Sequence, residues 1–139
     1  MTIKISKELI DETLRSKKKK GKRMLEPLQS FVIKNRVPLG LLEDTDVSGD
    51  AEVHKKAGDL WQCVEGEVAF VCGGELVDPK NRKGADGLDD PNELYAKEIK
   101  GGSKFLLKAG EWLWIPPGEP HMHSAFGTAR LFIVKIPVV

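Results

Sequence analysis

Histidines and carboxylates stand close together at two places in the sequence of 139 residues. The stretch AEVHKKAGDLW at residues 51–61 holds Glu52, His54 and Asp59, and GEWLWIPPGEPHMH at residues 110–123 holds His121 and His123. Side chains two residues apart on a strand share a face, so each pair would point the same way. Carboxylates and imidazoles that converge inside a small barrel are costly to bury ionised and unpaired, whereas a divalent cation makes that arrangement favourable. The two stretches therefore predict a metal site.

Three of these residues also have a purely structural interpretation. Glu52 could be a solvated edge residue, and His54 a hydrogen-bonded strand histidine. His123 could act as an acid, a base or a donor to a substrate, or it could lie exposed at a barrel mouth. Trp61 follows Asp59 by two residues, so we expect it to face the same interior and to line a substrate pocket.

Short apolar runs broken by Gly, Pro and Asp take over the sequence after residue 37. Many short strands without helical periods between them predict an antiparallel sandwich or barrel. The predicted strands are residues 39–42, 51–55, 60–64, 67–72, 104–107, 112–115, 121–125 and 129–136. The polar stretch at residues 78–103 is typical of a surface loop or a lid over a site. Its segment at residues 93–99 could be a helical turn or a strand edge.

Residues 1–36 predict a basic helical arm rather than an independent domain. Ser6 is a good N-cap for a helix that should end near residues 17–21, and apolar residues recur at helical spacing from Met24 to Val32. The arm holds eleven Lys or Arg against four Asp or Glu. Its basic run lies at a helix end, where cations are favourable, and no aromatic residue interleaves it. We therefore expect no nucleic-acid partner.

The composition, 40% apolar and 31% charged residues, fits one folded unit, with the barrel at residues 37–139. No run of about 18 apolar residues occurs, and no cleavable leader is visible at the start. We therefore expect no membrane partner and a cytoplasmic location. Strands of a small barrel and an apolar arm commonly pair across a two-fold axis, so we also expect a homodimer.

The two stretches resemble the two motifs of the cupin superfamily. EVHKKAGDLWQCVEGE resembles the first motif, and G-x5-P-x-G-x2-H at residues 110–121 resembles the second. The resemblance covers about residues 39–136 and implies an all-β fold, a cupin-type jelly-roll β-barrel with a short helical N-terminal extension. It also implies that one divalent metal ion, Mn, Fe, Zn or Ni, is bound by four ligands. These are Glu52, His54, Asp59 and His121, with Glu52 in place of the first histidine and Asp59 in place of the usual glutamate.

The Glu-x-His-x4-Asp variant is similar to bacterial cupin-like proteins of sugar catabolism, among them a sialic acid anomerase and the small accessory subunit of a β-galactosidase. This implies a metal-dependent enzyme on a small polar substrate, a carbohydrate or sugar acid that undergoes isomerisation, epimerisation, anomerisation or elimination. His123 or a ligand carboxylate would move the proton. One alternative is an Fe(II)-dependent dioxygenase. Another is a non-catalytic sugar- or metal-binding module or accessory subunit.

Overall fold

Twelve strands and two helices make up residues 1–138, the part of the chain that the computed structural model describes. In chain order they are α1 Lys7–Leu14, β1 Gly21–Met24, α2 Leu28–Asn35, β2 Leu39–Ser48, β3 Ala51–His54, β4 Ala57–Glu65, β5 Glu67–Cys72, β6 Glu75–Leu76, β7 Lys80–Lys83, β8 Asp89–Ala96, β9 Ile99–Lys100, β10 Ser103–Lys108, β11 Trp112–Ile115 and β12 His121–Pro137. The all-β prediction is confirmed.

The long strand β12 organises the barrel. It pairs antiparallel with β2, β4 and β5 and meets β3 at one residue pair. Strands β10 and β11 extend the wall from β5 and β4, and β1 extends it from β2. Buried side chains alternate along β5, where Val68, Phe70 and Cys72 face the inside, as the two-residue period of a strand requires. They join Trp61 and Leu131 in the apolar core of the jelly roll.

Strand β12 combines the segments predicted as two strands, residues 121–125 and 129–136. The register against β2 shifts between Ala125 and Thr128, where two residues of β12 stand opposite one residue of β2. Gly127 lies in this bulge with φ +82°, a conformation that favours glycine, and its amide donates to Asp46 Oδ1 at 2.7 Å. The strand therefore continues across the irregularity instead of ending there.

The N-terminal arm contains a strand that the helical prediction missed. Helix α1 begins at the N-cap Ser6, whose Oγ accepts from the Leu9 amide, but it ends at Leu14, before the predicted residues 17–21. The next segment forms β1 and pairs with β2. Helix α2 then follows Pro27 and buries Leu28 against the outside of the barrel. No helix within residues 1–138 is long and apolar enough to cross a membrane.

A buried ion pair fastens the arm to the barrel. Arg130 on β12 is 2% exposed and donates through Nε and Nη2 to Glu43 Oε2, at 2.9 and 2.7 Å. The same guanidinium donates to the carbonyl oxygens of Leu14 and Ser16, just after α1, at 2.5 Å each. Burial raises the pKa of Glu43, but its bonds from Arg23 and Arg130 outweigh that effect, so the pKa lies below its ordinary value.

The polar stretch at residues 78–103 forms sheet rather than a long loop. Strand β8 pairs with β3 and places Glu93 opposite His54, and β7 pairs with the other edge of β8. The segment at residues 93–99, left open between a helical turn and a strand edge, begins inside β8. This stretch therefore lies beside the predicted metal site.

Candidate metal centre

Three strands position the predicted ligands at one end of the barrel interior. Glu52 and His54 stand two residues apart on β3, and His121 opens β12 directly opposite Glu52. Asp59 lies on β4, where it is 1% exposed. The structure therefore brings all four sequence-predicted ligands into one neighbourhood.

Three of the four form the tightest group. Glu52, His54 and His121 each offer one ligand atom within 4.8 Å of the others, a grouping that could hold a metal ion. Glu52 Oε2 lies 3.5 Å from His54 Nε2. Asp59 stands outside this group of three, although its Oδ2 lies 3.4 Å from His121 Nε2 and 3.7 Å from His54 Nε2. Asp59 thus lies close to both imidazoles but is not a fourth member of the group.

Both imidazoles are oriented by acceptors on their far side. His54 Nδ1 lies 2.8 and 3.0 Å from the two carboxylate oxygens of Glu93, and His121 Nδ1 lies 3.0 Å from the carbonyl oxygen of Glu119. Ionised carboxylates and carbonyls only accept, so each Nδ1 carries the proton. The lone pair of each neutral ring is then on Nε2, the atom that faces the carboxylates, as metal-binding histidines require.

Two buried atoms at the site lack a hydrogen-bond partner among the described residues. They are Asp59 Oδ2 and His121 Nε2, which lie 3.4 Å apart. Buried polar atoms are nearly always paired, and a divalent cation between two such acceptors would satisfy both. The donor set and these two atoms therefore fit a metal ion, with Glu52, His54 and His121 as the core of the site.

Burial raises the pKa of the Glu52 carboxyl, but His54 and two nearby cations outweigh that effect and lower the pKa to about 2. The cations are Arg82, whose Nη2 lies 2.6 Å from Glu52 Oε1, and Lys22. Burial also raises the pKa of Asp59, but His121 and Lys135 outweigh it, so the pKa of Asp59 is lowered. Both carboxylates are therefore charged at neutral pH.

Lys135 brings a third cation into the site. Its Nζ lies 2.7 Å from Asp59 Oδ1 and 3.4 Å from His54 Nε2. The Lys135 ammonium thus contacts His54 Nε2, whose lone pair a metal ion would use. It also contacts the carboxylate of Asp59, which stands outside the group of three. Neither Lys135 nor Arg82 was anticipated from the sequence, because each reaches the site through strand pairing far along the chain.

His123 and Trp61 lie deeper in the same interior. His123 is 8% exposed, so the alternative of an exposed residue at the barrel mouth is wrong. Its ring centroid lies 5.3 Å from those of Trp61 and Phe70, and its Nδ1 lies 2.8 Å from Asp44 Oδ2. Asp44 is fully buried, and within residues 1–138 neither of its oxygens has a partner with hydrogen-bond geometry. A carboxylate therefore stands behind the imidazole, and Asp44 is a further residue that the sequence did not predict for the site.

A cavity of about 340 Å³ connects the metal-binding group to the N-terminal arm. One end is formed by Glu52, Asp59, His121, His123 and Lys135, with Trp61 on the wall, as predicted. The other end is largely apolar and is built jointly by the arm and the barrel. Its side chains belong to Met24, Val32, Ile33, Val37, Pro38, Leu39, Leu42 and Ile133, with Gln29 among them. Lys22, whose charge acts on Glu52, also lines the cavity.

Solved structures with a similar fold place the chain in a known class. No protein-family model matches the chain, and no curated protein matches its sequence. Two structures of YcfD from Escherichia coli, described in one case as a ribosomal oxygenase, superpose with TM-scores of 0.59 and 0.55. They are 13% and 17% identical, cover 90% and 85% of this chain, and are covered over 34% of their own length. An oxalate oxidase gives a TM-score of 0.48 at 17% identity, over 71% of this chain and 41% of that one.

The chain therefore spans about a third of YcfD and less than half of the oxalate oxidase. At these identities the likeness concerns the fold. The chain is a cupin-fold protein, a jelly-roll β-barrel, as the two motifs predicted. Within that fold, its candidate metal centre has Glu52 on β3 beside His54, where the motif usually has a histidine.

Proposed function

We propose that the protein is a divalent-metal-dependent enzyme that acts on a small molecule bound in the cavity. The observation that carries this proposal is the orientation of His54 and His121, whose Nδ1 atoms are both held by acceptors, so that both Nε2 atoms meet the carboxylate of Glu52. An ion such as Mn, Fe, Zn or Ni would polarise a substrate oxygen and hold the substrate beside His123.

His123 is the residue placed to move a proton. It lines the same cavity as Glu52, Asp59 and His121, and the buried carboxylate of Asp44 lies 2.8 Å from its Nδ1. A carboxylate at that distance would stabilise by its charge the imidazolium that forms when the ring accepts a proton. Isomerisation, epimerisation, anomerisation and elimination all require such a transfer. A carbohydrate or sugar acid is the substrate class that the sequence resemblance implies.

Three histidine variants test the proposal. We expect His54→Ala and His121→Ala to lose bound metal, measured by elemental analysis of protein purified without added metal and by titration of the apoprotein. His123→Ala is the matched control, because it removes an imidazole from the same interior without removing a ligand. It should retain the metal and lose turnover. Metal retained in full by His121→Ala would contradict the ligand assignment.

A second candidate function is an Fe(II)-dependent oxygenase. Two histidines and one carboxylate are the ligand set of many non-haem Fe(II) oxygenases, and Asp59, the fourth expected ligand, is engaged by Lys135. Oxygen consumption by anaerobically Fe(II)-loaded protein, with catechols, hydroxyanthranilate and thiols as substrates, separates the two functions. Hydrogen–deuterium exchange at a substrate carbon without oxygen uptake would favour proton-transfer chemistry. The homodimer and the cytoplasmic location stay predictions.

A further inference from the structure

We propose that the ligand of the cavity is a small organic anion with an apolar body, bound with its anionic head at the metal and its body against the N-terminal arm. This inference rests on the proposed function, because the metal supplies part of the charge that holds the head. It departs from the carbohydrate or sugar acid that the sequence resemblance implies, and its basis is the unequal chemistry of the two ends of the cavity.

The charge around the metal-binding atoms favours an anion. Three carboxylates and three cations surround the site, and two imidazoles are neutral when they bind a metal. The charged residues are Glu52, Asp59, Glu93, Lys22, Arg82 and Lys135. A divalent ion therefore leaves an excess of two positive charges, or of one when Asp44 behind His123 is included. Asp59 and His121 are buried, so charge there is screened less than in bulk water, and this excess attracts an anionic ligand more than a neutral one.

The opposite end of the cavity favours an apolar body. Met24 of β1 and Val32 and Ile33 of α2 face Leu39 and Ile133 of the barrel across this space. The hydroxyl groups of a sugar would find few hydrogen-bond partners among these side chains. The exception is the buried Gln29 Oε1, which has no hydrogen-bond partner in the described part of the chain and could accept one hydrogen bond from a ligand.

The size of the cavity limits the ligand. A volume of about 340 Å³ is at the lower end of the range for ligand pockets, so the ligand is small. Because the arm supplies much of the apolar wall, β1 and α2 are part of the binding site as well as of the fold. The arm thereby determines which anions fit.

Binding of a homologous series to the Mn²⁺-loaded protein tests this inference. The probes are 2-hydroxypropanoate, 2-hydroxybutanoate and 2-hydroxyhexanoate, with the amide of the longest acid and gluconate as comparisons, measured by titration calorimetry. We expect the dissociation constant to fall about fourfold for each added methylene. The amide and gluconate should bind at least tenfold more weakly than 2-hydroxyhexanoate. Equal affinity across the series, or tightest binding of gluconate, would overturn the inference.

Two variants locate the two ends of the ligand. Ile33→Gln should weaken the dependence of the dissociation constant on chain length and leave binding of the shortest acid unaffected. Leu88→Gln is its control, because Leu88 is an equally exposed apolar residue outside the cavity lining. Lys22→Gln should weaken every acid by a similar factor, with Lys20→Gln as control. Metal affinity is measured first on each protein. Absence of metal binding overturns the proposed function together with this inference, whereas metal binding without selectivity among the probes overturns this inference alone.

Discussion

Replacing Glu93 by alanine removes the acceptor of the His54 Nδ1 proton and leaves all predicted ligand atoms in place. The two carboxylate oxygens lie 2.8 and 3.0 Å from Nδ1, so the variant removes both the hydrogen bond that holds the ring and the charge that strengthens its basicity. Partners of this kind typically contribute about 10–100-fold to metal affinity. The Glu93 side chain is 34% exposed, so water can replace part of the bond. We therefore expect a loss near the lower limit, about tenfold or ~1.4 kcal/mol.

Titration calorimetry of apoprotein with Mn²⁺ measures this loss, and the absorption spectrum of bound Co²⁺ reports whether the geometry of the ligands changes. Glu93→Gln retains an acceptor oxygen without the charge, so its loss should be smaller than that of Glu93→Ala. Asp89→Ala removes an exposed carboxylate from the same strand and controls for the lost negative charge. A Glu93→Ala protein that binds Mn²⁺ within twofold of the Asp89→Ala control would refute the role of this residue.

Four further variants probe the site and its support. Lys135→Met removes the ammonium that competes for ligand lone pairs; we expect metal affinity to rise about tenfold by calorimetry, while the melting temperature of the apoprotein falls. Arg130→Met leaves buried Glu43 unpaired and should cost about 3–5 kcal/mol in urea unfolding. Because the pKa of Glu43 is lowered from 4.5, its contribution is present above that pH and is lost as pH falls through the lower folded value, so the stability gap between wild type and Glu43→Gln should shrink at acid pH. In Gly40→Ala the new methyl group would lie 2.1 Å from Met24 Cε, so the displaced side chain should weaken binding of the longer acids and leave metal affinity unchanged.

Much of the barrel and part of the site were predictable because their signals are local. The strands at residues 67–72 and 112–115 match their predicted bounds, since each is a short apolar run with turn residues beyond it. Glu52 and His54 needed only the two-residue period of one strand to share a face. The prediction of His121 as a ligand needed a second motif of fixed spacing. These features depend on neighbours in sequence.

The remaining features depend on pairing between distant segments. Strand β1 has the sequence GKRM, which lacks the alternating apolar residues that predict a strand. Its two cations have different partners, because Lys22 lines the cavity while Arg23 pairs with buried Glu43. The basic excess of the arm therefore serves partly to neutralise acids of the barrel. Glu93 reaches His54 through the pairing of β8 with β3, a register that polar residues at 78–103 do not reveal.

The bulge in β12 determines which side chains face the interior on either side of it, in the half that carries the histidines and in the half that lines the cavity. Odd-numbered residues face the interior on both sides of it, from His121 and His123 to Ile133 and Lys135, although the register against β2 has shifted by one. Deleting Gly127 would leave the histidines inward and turn the far half outward, because a slip of one residue exchanges the two faces of a strand. Ile133 and Lys135, which line the cavity, would then no longer face the same side of the strand as His121 and His123. Homologues or designs should therefore vary this bulge in steps of two residues, and a change by one should be found only with compensation elsewhere.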